Sequence, residues 1–327
     1  MAVKIGFIGC GRVSENHYEA VRKCKNAQLV AVGDVDMDLA RQRATEWGVS
    51  ALSCDEICEK EEIDAVFVLT PPSVHYHYVV KALLGNKHVL VEKPVSFEVS
   101  EIRSMERMAQ EKGKVCMPGH NYIYLPELRR GMELVRKGTI GKPAVMYAGE
   151  IYFMPPDLAH KYLGPTKEVL WHHIYLILAY IGVPERVCAF KSCFRNADIP
   201  SKDEQVMVNA MYSSGALANL FVSWAVEDET SDPWTFKVKV LGTAGGFHFS
   251  RRDVVSVKGE GSREYPLYQE MFDREVDYFV NECILRGSKP LSSLREAELA
   301  LHILNAVETS LENGTVETVR TTDLNIK

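Results

Sequence analysis

The chain has 327 residues, a length that suits two domains better than one. Its 46% hydrophobic and 25% charged residues are ordinary for a soluble globular protein, and a formal net charge of −6 argues against the basic face that nucleic-acid binding requires. The longest apolar run, Ile174 to Val183, is about half of what spans a bilayer, so no membrane role is expected.

The first 120 or so residues alternate strand and helix. Strands are expected at Val3–Ile8, Gln28–Gly33, Ile63–Leu69, His88–Glu92 and Val115–Pro118. Helices are expected at Ser14–Lys23, Asp38–Trp47, Val74–Leu84 and Val99–Lys112. Short apolar strands between helices pair in parallel, with both sheet faces covered. That is a doubly wound, Rossmann-type α/β domain, assigned to residues 1–120.

From His120 the pattern changes. A helix is expected at Glu127–Arg136, a strand at Pro143–Phe153 and a helix at Lys167–Ile181. Strands then dominate, at Glu185–Phe194, Gln205–Tyr212, Ala216–Ala225, Thr235–Leu241, Gly245–Ser250 and Val254–Lys258. Helices return at Tyr268–Arg286 and Leu294–Glu312. Residues 121–327 therefore read as an α+β domain with a large, mainly antiparallel open sheet.

The eight cysteines show neither scaffold density nor a Cys-x-x-Cys pair; Cys54 and Cys58 lie four apart without partners for a zinc site. No metal is expected. Reduced thiols fit a cytoplasmic protein, and the short apolar Val3–Ile8, followed at once by a glycine turn, does not read as a signal peptide.

Several segments carry chemistry. Gly6-Phe7-Ile8-Gly9-Cys10-Gly11-Arg12-Val13-Ser14 sits between the first strand and the first helix. Gly9 permits a tight turn, and Gly11 lets backbone approach a pyrophosphate at a helix N-terminus. Asp34, 25 residues after Gly9, ends the second strand, where an acid accepts hydrogen bonds from ribose hydroxyls. It would repel a 2′-phosphate by about 4 kcal/mol at 4 Å and an effective dielectric of 20, so NAD is preferred over NADP. The alternative is that Asp34 or Asp36 caps the next helix. Thr70-Pro71-Pro72-Ser73-Val74-His75 is a rigid loop after the third strand. In Val89-Leu90-Val91-Glu92-Lys93-Pro94 the proline ends the strand and leaves Lys93 at its carboxyl end, where ligands bind in open parallel sheets. Further on, Glu168 and His172 are four apart and Tyr175 three beyond, on one face of the expected helix. Such a trio is either functional or a satisfied polar group; His173 points about 100° away.

Together these segments resemble the glucose–fructose oxidoreductase/inositol dehydrogenase (Gfo/Idh/MocA) family. The resemblance covers nearly the whole chain. It rests on GFIGCGRVS with His17 following, TPPSVH, GNKHVLVEKP, GHNYIYLP at Gly119–Pro126, the helix at 168–182 and GTAGG at 242–246. It implies an NAD-binding Rossmann domain and a substrate domain that self-associates through its open sheet, as a homodimer or homotetramer. It also implies reversible alcohol–ketone chemistry on sugars, inositols or nucleotide sugars. The implied cofactor contacts are Gly9, Gly11, Arg12, Val13, Asp34, Thr70, Pro71, His75, Glu92 and Lys93. His172 would be the general base, Lys93 would stabilise charge on the same oxygen, and Glu168 would orient His172. Asn121, Tyr122 and Tyr175 would contact substrate. The family's helix carries Asp-x-x-x-His and often a further Asp; here Glu168 is one methylene longer and Tyr175 replaces the second acid. Ile123 stands where relatives often have arginine, which makes an acidic substrate less expected. Two other readings keep the fold: an elimination through transient oxidation by bound NAD, and an NAD-sensing regulatory protein.

Overall fold

A computed structural model describes residues 2–195, 203–228, 236–251, 255–256, 263–264 and 266–321. By its contacts the chain forms two compact units, Met1–Leu125 with Leu267–Glu298, and Pro126–Pro266 with Leu299–Lys327. The segment Leu267–Glu298, expected in the second domain, thus belongs with the first.

The first unit is a six-stranded parallel sheet in the order β3-β2-β1-β4-β5-β6. Its strands are β1 (Val3–Ile8), β2 (Ala27–Gly33), β3 (Ser50–Ala51), β4 (Ala65–Val68), β5 (His88–Val91) and β6 (Cys116–Pro118). Every residue of β4 is buried, as a strand covered on both faces requires. The helices are α1 (Arg12–Lys23), α2 (Met37–Trp47), α3 (Cys54–Glu59), α4 (His75–Leu84) and α5 (Val99–Lys112). The short β3 and α3 were not among the expected elements. The signal for α3 was present, because Ser53 and Glu56 form a capping box at its start. The strand order reverses between β1 and β4, and in such sheets ligands bind outside the carboxyl ends at that point. The glycine turn follows β1 and the Thr70 loop follows β4.

Beyond its sheet this unit includes α10 (Pro266–Asp277), a π-helical turn at Tyr278–Ile284 and the first residues of α11 (Leu294–Asn313). Phe272 meets the His17 ring edge-on at 4.9 Å between centroids, and Phe279 meets Phe67 at 5.6 Å. Asn16 Nδ2 donates to Gln269 Oε1, and the buried Glu298 pairs with Arg103. These contacts join residues about 200 or more apart in sequence, beyond the reach of periodicity.

The second unit holds a seven-stranded sheet, β12-β11-β7-β10-β9-β8-β15. The strands are β7 (Pro143–Ile151), β8 (Arg186–Ser192), β9 (Gln205–Met211), β10 (Leu217–Ser223), β11 (Phe236–Gly242), β12 (Gly245–Arg251) and β15 (Glu317–Thr318); β13 (Val255–Ser256) and β14 (Arg263–Glu264) make a separate antiparallel pair. Of the expected strand Val254–Lys258, only residues 255–256 are described. Most pairings are antiparallel, but β7 and β10 run parallel. One face carries Met146, Ala148, Val208, Leu220, Val222 and Val238, all buried. The helices are α6 (Pro126–Arg136), the four-residue α7 (Pro156–Ala159) and α8 (Pro165–Glu168), α9 (Leu170–Tyr180) and the rest of α11. Nearly all of α9 is buried, and Tyr180 Oη donates to Leu128 O of α6 at 2.9 Å.

Glu275 of α10 is fully buried, and neither carboxyl oxygen has a hydrogen-bond partner. Burial, and then the charge of Glu92, raise its pKa well above the usual carboxylate value. The folded chain therefore keeps this proton while the unfolded chain releases it above its ordinary carboxyl pKa. Stability contributed by Glu275 falls as pH rises from that value toward the folded pKa. Glu275→Gln removes the titration, so urea unfolding at rising pH above the ordinary carboxyl pKa should show the variant gaining on the wild type, by at most about 1.4 kcal/mol per pH unit. Parallel pH slopes for the two proteins would contradict the assignment.

Candidate functional site in two halves

The first half lies at the switch point. Gly9 has φ +104°, and a Cβ there would stand 2.7 Å from the carbonyl carbon and oxygen of Leu69. Only glycine fits this turn beside β4. A Cβ on exposed Gly11 would meet nothing within 4 Å, so space for a ligand lies over the turn. Helix α1 begins with Gly11 as N-cap and no side-chain cap, which leaves its positive end for an anion. Arg12 is exposed and Val13 partly so. Asp34 Oδ2 accepts from Cys10 N at 2.8 Å and Oδ1 from Asp36 N at 3.0 Å. Each oxygen retains a lone pair for a ribose hydroxyl. Asp36, not Asp34, caps α2 by accepting from Asp38 N and Leu39 N. Burial, then Asp34, push the Cys10 thiol up to about 12, so it stays protonated.

Two buried oxygens without a protein partner lie on loops after the strands of this sheet, Thr70 Oγ1 and Asn121 Oδ1. The Thr70 loop leads through a 3-10 turn at Pro72–Val74 into α4, with Pro71 exposed. His75 is fully buried: Nε2 lies 2.7 Å from Thr70 O and Nδ1 3.0 Å from Pro94 O. Burial lowers its pKa, against the opposing pull of those carbonyls and of Glu92. Lys93 follows β5, partly exposed, with a cis peptide to Pro94. Glu92 is buried; its Oε1 lies 2.8 Å from His17 Nε2, and its Oε2 accepts from Lys93 N at 3.0 Å. Burial alone would raise the Glu92 pKa, but the His17 hydrogen bond, His17 charge and Lys93 hold it below the ordinary value. His75 and Glu92, expected among the cofactor contacts, have their side chains in hydrogen bonds within the protein, and these bonds support the loops. Tyr122 is buried beside Asn121, and the preceding His120 is fixed by Ser292 Oγ at 2.6 Å. Burial pushes His120 down to about 3, so it is neutral.

The other expected site residues lie in the second unit. The single helix expected over Lys167–Ile181 is broken at Val169 into α8 and α9. Glu168 Oε1 accepts from Leu163 N at 3.3 Å, closing the turn that enters α8. The partner of His172 Nδ1 is Tyr175 Oη, at 2.7 Å, with both side chains buried. Tyr175, expected to contact substrate, is thus hydrogen-bonded to the expected general base. The spacing already carried that signal, because i and i+3 share a helix face. His173 lies fully buried with its ring stacked on Phe236, consistent with a packing role. Among the described residues no group of three or more His, Cys, Asp or Glu is placed to hold a metal, and no helix is long and apolar enough to cross a membrane.

Residues 3–120 match the oxidoreductase family with NAD-binding Rossmann fold, and residues 128–248 the GFO/IDH/MocA C-terminal domain. The chain is 30% identical to myo-inositol 2-dehydrogenase of Thermotoga maritima, over 95% of this chain and 96% of that one. It is 27% identical to scyllo-inositol 2-dehydrogenase (NAD(+)) of Bacillus subtilis, over 95% of each. The crystal structure of scyllo-inositol dehydrogenase from Lactobacillus casei, with bound NAD(H) and scyllo-inositol, shares the fold. Its TM-score is 0.84 at 20% identity, covering 98% of this chain and 99% of that one. A glycine turn at a β1/β4 switch point, an acid ending β2 and this full-length likeness agree, and the chain belongs to the GFO/IDH/MocA family of NAD-binding oxidoreductases.

Proposed function

We propose that this protein interconverts a secondary alcohol and a ketone on an inositol or a sugar-like polyol, with His172 and Lys93 acting on the reacting oxygen. Its relatives named above are inositol dehydrogenases. The observation that carries the reading is Lys93 at the carboxyl end of β5, with its backbone N–H fixed by Glu92, in a sheet whose switch point bears Gly9, Gly11 and Asp34. The residues fit NAD: open space over Gly11, an uncapped α1 start, and a fixed carboxylate at Asp34. Bound NAD supplies the hydride acceptor for alcohol oxidation.

The chain's own residues handle the proton. When His172 Nδ1–H donates to Tyr175 Oη, Nε2 carries the lone pair that takes the hydroxyl proton. The Lys93 ammonium donates to the same oxygen and stabilises the charge that develops there. Asn121, Tyr122 and the Thr70–Pro71 loop are assigned to positioning substrate and cofactor. In the reverse direction His172 returns its proton to the carbonyl oxygen.

On a panel of inositols and sugars, with NADH formation followed spectroscopically, His172→Ala and Lys93→Ala should each lower kcat by about 10² to 10⁴. Tyr175→Phe, which keeps the ring and removes the Nδ1 partner, should lower kcat more than it raises KM. Wild-type turnover in both alanine variants would eliminate the assignment. Asp34→Ala should cut the preference for NAD over NADP by up to about a thousandfold, since a 4 kcal/mol repulsion is removed; an unaltered ratio of kcat/KM values would remove Asp34 from the site.

Among the described residues no disulfide is formed, which suits a reducing cytoplasm. The second unit's sheet has one face still to cover. Leu217 stands opposite Val145, Val145 opposite Leu241, and Phe190 opposite Met207, and all five are exposed. An apolar row of this kind is best covered by a second copy of the same sheet, giving a homodimer or homotetramer. Light scattering at micromolar concentration should find an oligomer that Leu217→Lys with Val145→Lys dissociates; a monomeric wild type would refute this.

A further inference from the structure

Lys93 is bracketed by two buried histidines, each linking a neighbour of the lysine to an element that takes the cofactor. On one side Glu92 uses both oxygens. Oε2 accepts the backbone N–H of Lys93, and Oε1 lies 2.8 Å from Nε2 of His17 in α1, the helix that the glycine turn starts. On the other side the carbonyl of Pro94 lies 3.0 Å from Nδ1 of His75, whose Nε2 lies 2.7 Å from the carbonyl of Thr70. Both histidines are fully buried, so neither ring exchanges these partners for water. A neutral His75 donates to one carbonyl and is wedged against the other, so the ring spans the gap between the two segments. The charged Glu92 is the stronger kind of link, because hydrogen bonds to an ionised acceptor are roughly twice as strong as neutral ones.

We propose that His17 and His75 are positioning residues that couple the cofactor-binding turn and the Thr70 loop to Lys93, so that binding NAD orders the lysine for reaction. The inference rests on the reading of Lys93 as the group that acts on the substrate oxygen. Binding fixes the α1 start and the Thr70 loop, and the two rings transmit that fixation to the residues on either side of Lys93. A residue displaced by about 1 Å can cost about a hundredfold in rate, so loosening either link should show in kcat. Purely structural histidines would lower stability and leave NAD response at Lys93 intact.

The test follows amide hydrogen exchange of the full chain with and without NAD, alongside NADH fluorescence titration and kcat. In the wild type, NAD should slow exchange both at residues 9–14 and at residues 92–97. In His75→Phe and His17→Leu, protection at 9–14 should remain while protection at 92–97 is lost, with kcat lowered about ten- to hundredfold. His17→Gln, whose amide nitrogen can donate to Glu92, should restore most of the coupling. Should an apolar variant not fold, His75→Asn, too short to span both carbonyls, and His17→Asn, too short to reach Glu92, carry the same expectation. Folded variants that keep NAD-dependent protection at 92–97 and kcat within twofold of wild type would overturn the inference. So would a wild type in which NAD protects 9–14 and leaves 92–97 unchanged. Full activity in Lys93→Ala would instead overturn the reading of the lysine itself, whatever the histidine variants do.

Discussion

The close approach of Gly9 to the end of β4 is the constraint on which the first unit's site depends. With φ at +104° and the Leu69 carbonyl at the place of a Cβ, no other residue lets the chain leave β1 and enter α1 at this angle. That turn points α1's uncapped end at the mouth of the sheet, and it brings Cys10 N to Asp34. The same reversal of strand order sets the glycine turn beside the Thr70 loop. The features proposed to hold the cofactor, an uncapped helix start, the Asp34 carboxylate and the Thr70 loop, therefore follow from one backbone geometry.

The first unit also buries several polar groups. His17, His75, Glu92, His120, Ser292, Glu275 and Glu298 are all nearly inaccessible. Buried polar groups cost free energy unless paired, and most of these are paired with partners that act on a single feature, the backbone around Lys93 or the segment after β6. Such networks rigidify when satisfied. Glu275 is the exception, and its retained proton is how the fold tolerates a carboxyl without a partner.

Much of this was legible in the sequence, for local reasons. The glycine turn, Asp34 at the end of β2 and Lys93 before a proline each depend on a few neighbouring residues and on element order. The return of Leu267–Glu298 to the first unit was not legible, because its evidence is tertiary: Phe272 on His17, Phe279 on Phe67 and Gln269 on Asn16. The His17–Glu92 pair spans 75 residues and left no mark in spacing. The break at Val169 was missed because Glu168 to Tyr175 has unbroken helical periodicity, while the Glu168 carboxylate serves the Leu163 turn instead. The parallel pairing of β7 with β10 was hidden for a similar reason, since strand identity is local and neighbour choice is not.

The change of partner at His172 alters the chemistry expected of it. A carboxylate beside an imidazole stabilises the imidazolium and raises basicity, whereas a phenol is neutral and mainly fixes orientation. The phenol of Tyr175 at Nδ1 fixes the ring and adds no charge of its own. In the proposed reaction the charge that develops on the substrate oxygen is met by the Lys93 ammonium. Glu92 accepts from the backbone N–H of Lys93 and His75 meets the Pro94 carbonyl, which is the local support the proposed role of Lys93 calls for. A catalytic pair in which one member loses electrostatic help depends more on the exact placement of the second.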